Sequence, residues 1–469
     1  MQDIHHYDII VIGSGPAGEK SAMQASKLKK QVALIEKSPH LGGASLHTGT
    51  IPSKSLRETV LHLSLLRQQT HGIDITFKEN LTTQELMYRK EMVIQDQENS
   101  LQRNFEKNHI TVINGTPLFQ SASMLGITPA DGSEKFEITA DYTIIATGSS
   151  PHRPKWAPFD YESVFDSDTI LDIKHLPKKV TIIGAGVIGC EYASIFSKLG
   201  IRVNLIARNR NVLPFVDRQI AENLMYQMRS QRITLRLGES VEGIEKISAD
   251  EVHVKLESQK VLPCSTVLVA TGRFANSSGL NLDKVGVELG NNGVIKTNAN
   301  FQTAQPNIYA VGDVIGFPSL ASTSKTQARI AVLHAFDQLE SEKMPSDLPL
   351  GIWTMPAVSM VGKTEEELTD ACIPYEIGIA HFKEISRAHI MGEEEGILKL
   401  LFDPENLKIL GVHIIGPHAS ELIHLGHSVM YFEGTIKYFM NTVFNSPTLD
   451  EAYRVAAFNG MNRLDHESL

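Results

Sequence analysis

Two glycine triplets carry the first chemistry legible in the chain. Gly13, Gly15 and Gly18 stand in G-x-G-x-x-G spacing within GSGPAG, and Gly184, Gly186 and Gly189 repeat it within GAGVIG. In such a triplet the first glycine permits a tight turn, the second lets backbone approach a pyrophosphate, and the third allows a helix to pack closely on a strand. The chemistry is the holding of a dinucleotide, and the chain offers it twice. Asp313, in NIYAVGDV, is a further candidate: after a strand and a glycine, its carboxylate could accept a sugar-alcohol hydroxyl while the amides of a following helix face phosphate. Taken alone, that aspartate would more often be a helix cap.

Each triplet has a neighbour placed to read the attached ribose. Glu36 ends the strand VALIE, 18 residues after Gly18, where a carboxylate can accept both hydroxyls of an adenosine ribose. At the matching point of the second unit stands Ala207, followed by Arg208 and Arg210. An acid there would repel a 2'-phosphate and an arginine would pair with it, so the second site should accept NADP(H) without excluding NAD(H). The alternative is that both arginines are solvated loop charges.

These residues need strands and helices to hold them. YDIIVIGSGPAGEKSAMQASKLKKQVALIEK reads as strand, turn, helix, strand, and KKVTIIGAGVIGCEYASIFSKLGIRVNLIAR repeats the pattern. Thr147 and Gly148 end the apolar strand of TIIATGSSP, and Gly272 follows that of VLVATGR; both turns suit the close of a nucleotide unit. MYRKEMVIQDQENSLQRNFEK has apolar residues at helical spacing and predicts one long amphipathic helix. At 469 residues the chain has material for about three domains. A net charge of -10 argues against nucleic acid or an anionic membrane as partner. Cys190, Cys264 and Cys372 form no CxxC or metal-ligand spacing, which suits a reducing cytoplasm. Cys190 reads as a buried small apolar residue. No run of about 18 apolar residues occurs, so no membrane span is expected, and the glycine-interrupted N-terminal run is too short for a signal segment. Glu421, His424 and His427 set one E-x-x-H pair on a helix, which without ligands from other helices makes no metal site. No metal is expected.

With GSGPAG, LGGASLHTGTIPSK, ATGSSP, GAGVIGCEYA, ATGRFAN, YAVGDV, MPAVSMVGKTEEEL and FNSPTLDEAYRVAA in this order, the chain resembles the pyridine nucleotide-disulfide oxidoreductase flavoproteins nearly end to end. Glutathione reductase, lipoamide dehydrogenase and mercuric reductase belong to that family. The resemblance implies an α/β fold with two Rossmann-like dinucleotide-binding domains and a C-terminal α+β dimerisation domain. It implies an FAD-binding domain over 1–152 and 276–348, interrupted by an NAD(P)-binding domain over 153–275, with the dimerisation domain over 349–469. FAD would occupy the first site, held by Glu36 and Asp313, with Gly43, Ser45, Thr50, Lys54, Thr147, Gly148 and Gly272 in the cofactor-binding set. NAD(H) and NADP(H) would be substrates at the second site, and the protein a homodimer or larger homo-oligomer. Lys54 and Glu191 match positions that form an ion pair near the reactive edge of the flavin and are the candidate catalytic pair; the structural alternative is a buried salt bridge.

The departures from the family are concentrated. Its disulfide-reducing members carry two cysteines where this chain has Ser45 and Thr50, and a histidine before proline where it has Ser446 before Pro447, although Glu451 remains. Neither hydroxyl can form a disulfide or act as a thiolate. Within the family the pattern is most similar to the soluble pyridine nucleotide transhydrogenases, in its HTGTIPSK and FNSPT stretches, although those keep a cysteine at the position of Ser45. The implied reaction is ping-pong hydride transfer from NADPH through FAD to NAD. An NAD(P)H:quinone or diaphorase-type reductase is the alternative, and a flavin-bearing scaffold without catalysis a third. His47 is open between a flavin contact and a packing or backbone-bonding role.

Overall fold

The computed structural model describes residues 4–67 and 81–467. Its first α/β unit opens with strand β1 (His5–Ile12), helix α1 (Pro16–Lys27), β2 (Val32–Glu36), α2 (Gly43–His47), α3 (Thr50–Arg67) and α4 (Thr83–Lys107), followed by β3 (Thr111–Ser121), β4 (Met124–Pro129) and β5 (Phe136–Ile145). Residues 9–12 of β1 and 32–35 of β2 are uninterrupted apolar runs because helices or loops cover both faces of a parallel sheet. Ile9, Ile10, Leu34 and Ile35 are accordingly fully buried. Pro16 at the first turn suits α1, since its missing N–H would have no partner there. The long helix expected from periodicity is α4, begun by a Thr82–Glu85 capping box.

β6 (Ser149–Pro151) then leads into a second unit: β7 (Val164–Asp166), β8 (Lys179–Ile183), α5 (Val187–Lys198), β9 (Arg202–Ala207), α6 (Arg218–Ser230), β10 (Ile233–Leu237), β11 (Val241–Lys246), β12 (Val252–Leu256), β13 (Val261–Cys264) and β14 (Thr266–Val269). Its parallel sheet has the order β10-β9-β8-β14-β7, and β11 to β13 form an antiparallel sheet beside it. The chain returns through β15 (Arg273–Ala275), antiparallel to β6. It then adds β16 (Ile308–Ala310) beside β5, completing the first sheet, and α7 (Ala321–Ala335), which packs on α1.

The last unit is a five-stranded antiparallel sheet of order β17-β18-β21-β20-β19, built from β17 (Leu350–Ile352), β18 (Ala357–Gly362), β19 (Glu376–His381), β20 (Ile397–Phe402) and β21 (Ile409–Gly416). Around it lie α8 (Glu365–Asp370), α9 (Ser386–Met391), α10 (Ala419–Tyr431), α11 (Lys437–Asn441) and α12 (Glu451–Glu467). Lys399 interrupts the apolar β20, yet it is fully buried. Its ammonium donates to both carboxylate oxygens of Asp217, at 3.0 and 2.8 Å, and to Glu365, so the ion cluster bolts the second unit to the last. Burial alone would raise the Asp217 carboxyl; nearby His413 and Lys399, with hydrogen bonds from the Lys399 ammonium and the Glu365 N–H, outweigh it and hold the group below its ordinary value. His413, fully buried beside this cluster, is pushed down by desolvation. Among the described residues no helix is long and apolar enough to cross a membrane.

Candidate active site

The first triplet lies in the β1–α1 turn. A Cβ at Gly18 would sit 1.8 Å from the Gly13 carbonyl oxygen, so only glycine permits this helix–strand approach. Gly15 has open space instead, and as the N-cap of α1 it supplies no side-chain cap, leaving the first amides of the helix for an external anion. The second triplet repeats the arrangement: a Cβ at Gly189 would meet the Gly184 oxygen at 1.8 Å, while Gly186, N-cap of α5, faces open space. Gly43 closes over the first site, its Cβ position 3.0 Å from the Gly15 Cα.

Glu36 is buried at the end of β2, and its carboxylate is already engaged. Oε2 accepts the backbone N–H of Ser14 at 2.9 Å and its hydroxyl at 2.7 Å, and Oε1 accepts the N–H of Ser38 at 2.9 Å. With three of about four acceptor positions filled, the carboxylate has direct room for one ribose hydroxyl unless Ser14 Oγ turns away. That narrows the expectation of two. A cavity of about 480 Å³ adjoins it, lined by Ser38, Leu41, Gln102, Phe105, Ile110 and Asn114, apolar enough for a purine with amide groups at its rim. The donor set, the open helix terminus and this cavity fit the adenosine diphosphate half of a flavin dinucleotide.

Asp313 sits in a short 3-10 turn, Gly312–Ile315, and the next α-helix starts only at Ala321. The expectation that a helix follows it directly is corrected; that turn cannot aim a full helix terminus at phosphate. Its Oδ2 accepts the Ser149 hydroxyl at 2.8 Å. Thr147 and Gly148 form a turn fastened by Asn276: the Thr147 hydroxyl donates to the Asn276 carbonyl at 2.7 Å, and the Asn276 side-chain amide donates to the Thr147 carbonyl at 3.0 Å. Gly272, at φ +116° with open space beside it, ends the second sheet in the same manner.

Lys54 and Glu191 meet across the two units. Lys54, in the second turn of α3, donates from Nζ to Glu191 Oε2 at 2.7 Å, with the two side chains 23% and 5% exposed. Glu191 Oε1 accepts the backbone N–H of Trp353 at 2.8 Å. Arg57, one turn beyond Lys54, donates from Nε to the Trp353 carbonyl at 3.0 Å and from Nη2 to that of Thr354 at 3.2 Å. A buried carboxylate is thus held from two sides, at a point where all three units touch. Sequence reasoning missed Trp353 and Arg57, and the only signal for them is the family stretch around Met355 and Pro356.

Ser45, in α2, is half-buried, and Thr50, opening α3, is exposed; among the described residues neither hydroxyl has a hydrogen-bond partner. His47 Nε2 meets the Leu41 carbonyl at 2.6 Å, which fixes it as a backbone-bonding residue. Ser446 is exposed on the last unit. Cys190 is fully buried, and desolvation pushes its thiol well up, leaving no thiolate for redox work. Arg208 and Arg210 are exposed past the end of β9, and among the described residues neither forms an ion pair. His424 and His427 stand 6.4 Å apart on α10, and among the described residues no cluster of three His, Cys, Asp or Glu could hold a metal.

Residues 7–328 match the model of the family described as pyridine nucleotide-disulphide oxidoreductase, and residues 348–457 match its dimerisation domain. The chain is 42% identical over 462 residues to a soluble pyridine nucleotide transhydrogenase of Mycobacterium tuberculosis, covering 98% of each. It is 43% identical over 467 residues to one from Yersinia enterocolitica, covering 99% of this chain and 100% of the relative. Among solved structures, the HOCl-induced flavoprotein disulfide reductase RclA of Escherichia coli superimposes with a TM-score of 0.87 at 26% identity, covering 96% of this chain and 99% of that one. LpdA of Mycobacterium tuberculosis shares the fold, with a TM-score of 0.89 at 24% identity and coverage of 97% and 99%.

Proposed function

The chain belongs to the pyridine nucleotide-disulphide oxidoreductase family, and on that premise we propose that it is a soluble NAD(P) transhydrogenase, moving hydride from NADPH by way of FAD to NAD. The observation that carries this reading is a pairing within one site. The Lys54–Glu191 ion pair is complete, whereas the thiol positions are Ser45 and Thr50. A family member so equipped keeps its nicotinamide side and has no disulfide exit. The full-length relatives at 42% and 43% identity carry the same activity in their names.

Hydride exchange between two nicotinamides is chemistry that FAD supplies when bound. The residues bind and orient. The α1 terminus at Gly15 takes one pyrophosphate and the α5 terminus at Gly186 the other. Glu36 receives an adenosine ribose hydroxyl and Asp313 a ribityl hydroxyl. Ala207 leaves the end of β9 free of the acid that would reject a 2'-phosphate, while Arg208 and Arg210 attract one, so a single pocket admits both nucleotides in turn. Lys54 and Glu191 form the polar wall of that pocket, with Glu191 fixed by the Trp353 amide. FAD binding belongs to 1–152 and 276–348, nicotinamide binding to 153–275 and dimerisation to 349–469. Exposed Tyr431, Phe432 and Val443 on the last unit await a second copy of the chain. Free Cys190, Cys264 and Cys372 suit a cytoplasmic protein.

The test is an anaerobic assay with NADPH and a thionicotinamide analogue of NAD, following the reduced analogue. Rapid reduction, with parallel double-reciprocal lines as both substrates vary, is expected of one pocket used twice. Flavin that bleaches with NADPH while the analogue stays oxidised sinks the reading and makes quinones the acceptors to try.

A further inference from the structure

We propose that Arg273 is a positioning residue for Asp313, acting through the hydroxyl of Ser149 and anchored by Asp168 of the second unit. The inference rests on the reading above that Asp313 receives a flavin hydroxyl. Ser149 Oγ donates to Asp313 Oδ2 at 2.8 Å, and Arg273 Nε donates to the same Oγ at 2.9 Å. A hydroxyl has one proton and two lone pairs, whereas a guanidinium only donates. The arginine therefore fixes Ser149 as acceptor on one side, and its single proton must point at the carboxylate. Asp313 is left with its Oδ1 edge for the cofactor.

The arginine is itself held at three further points. Nη2 donates to the Ser149 carbonyl at 2.8 Å, and Nη1 donates to Asp168 Oδ1 at 2.8 Å and Ser167 Oγ at 3.2 Å. Asp168 is fixed in turn, its N–H given to the buried carboxylate of Asp166 at 3.0 Å, which also pairs with Arg153 at 2.7 Å. The series Asp168, Arg273, Ser149, Asp313 runs across the two-stranded β6–β15 ribbon, the covalent crossing between the units. The geometry of the nicotinamide unit thereby reaches the carboxylate that grips the flavin.

The test follows FAD release from the holoenzyme, read as flavin fluorescence after dilution. Arg273→Met and Ser149→Ala are each expected to speed release about 5–10-fold, the loss of one hydrogen bond from the series that orients Asp313. The double variant should be no faster than the quicker single, and Arg273→Lys, which keeps a donor, should recover part of the hold. Asp168→Asn, which loosens the arginine with little change of shape, should give a smaller increase and serves if Arg273→Met does not fold. A ribbon staple with no link to Asp313 predicts that Arg273→Met lowers the melting temperature while release stays at the wild-type rate, or adds independently to Ser149→Ala. Either outcome overturns the proposal. Asp313→Asn separates the underlying reading: if that variant releases FAD at the wild-type rate, Asp313 does not hold the flavin at all.

Discussion

Replacing Glu191 by glutamine tests the heart of the site, because the carboxylate serves two donors from opposite sides. Lys54 Nζ lies at 2.7 Å and the Trp353 N–H at 2.8 Å. An amide of the same shape has one acceptor oxygen and one NH2, so in either orientation one donor faces another. If the Trp353 N–H keeps the oxygen, Lys54 loses its partner but, at 23% exposure, regains water, at a cost of about 1–1.5 kcal/mol. If Lys54 keeps it, an enclosed backbone N–H goes unpaired at about 1–3 kcal/mol. The first arrangement is the cheaper and should prevail. Carried into the hydride step, that loss slows the reaction roughly 5–13-fold. Stopped-flow absorbance would follow flavin bleaching by NADPH and its return with NAD. Both half-reactions should slow by the same factor, because both nucleotides use this wall, and FAD content should not change. The double variant with Lys54→Met should be no slower than the slower single. Wild-type rates in both directions would refute the reasoning and reduce the pair to a structural salt bridge; a defect in one direction alone would mean two separate nucleotide pockets.

Further outcomes follow from other parts of the molecule. Gly18→Val should give protein purified with little flavin, since its Cβ would fall 1.8 Å from the Gly13 oxygen; a wild-type absorbance ratio at flavin and protein wavelengths would contradict this. Cysteines introduced by Ser45→Cys and Thr50→Cys together should not confer lipoamide or glutathione reduction, because Ser446 offers no base, and appreciable disulfide turnover would show that the histidine matters less than argued. Lys399→Met should destabilise by about 3–5 kcal/mol in urea unfolding, since it strands the fully buried carboxylate of Asp217 without its ammonium partner. The fold should also weaken below about pH 6.5, the ordinary histidine value. His413, with its pKa depressed by burial, takes a proton in the native state only at lower pH than its unfolded counterpart does, and further loss sets in below about pH 3.9, the ordinary aspartate value, because Asp217, also depressed, is protonated in the unfolded chain first. His413→Gln should flatten the drop in melting temperature between pH 7 and pH 5.

What was legible in the chain was local. The glycine triplets announce themselves because a turn, an approach to phosphate and a helix–strand contact fall within six residues, and α4 because its periodicity runs unbroken. The tertiary partners were not legible. Trp353 reaches Glu191 through a main-chain N–H, which no side-chain pattern can advertise. Ser14 and Ser38 look like ordinary turn residues until β2 brings Glu36 between them. Lys399 would be assigned to solvent on composition, and is buried only because Asp217 arrives from another unit. At Asp313 the strand and glycine are legible in NIYAVGDV, but that pattern does not distinguish a 3-10 turn from the start of an α-helix.

The insertion of one nucleotide unit inside another has a consequence for the order of synthesis. A ribosome releases β1 to β5 first, yet β16, which covers one edge of β5, and Asp313 emerge only after the whole inserted unit, a delay on the order of ten seconds. During that interval the first sheet has an unpaired edge and an incomplete grip on flavin, exposed to mispairing with neighbouring chains. The Trp353 amide comes later still, so a polypeptide released before it could gather both nucleotides and yet lack the last contact that sets Glu191. Commitment to activity is thus deferred to the C-terminal unit, and truncated products should accumulate as inactive species.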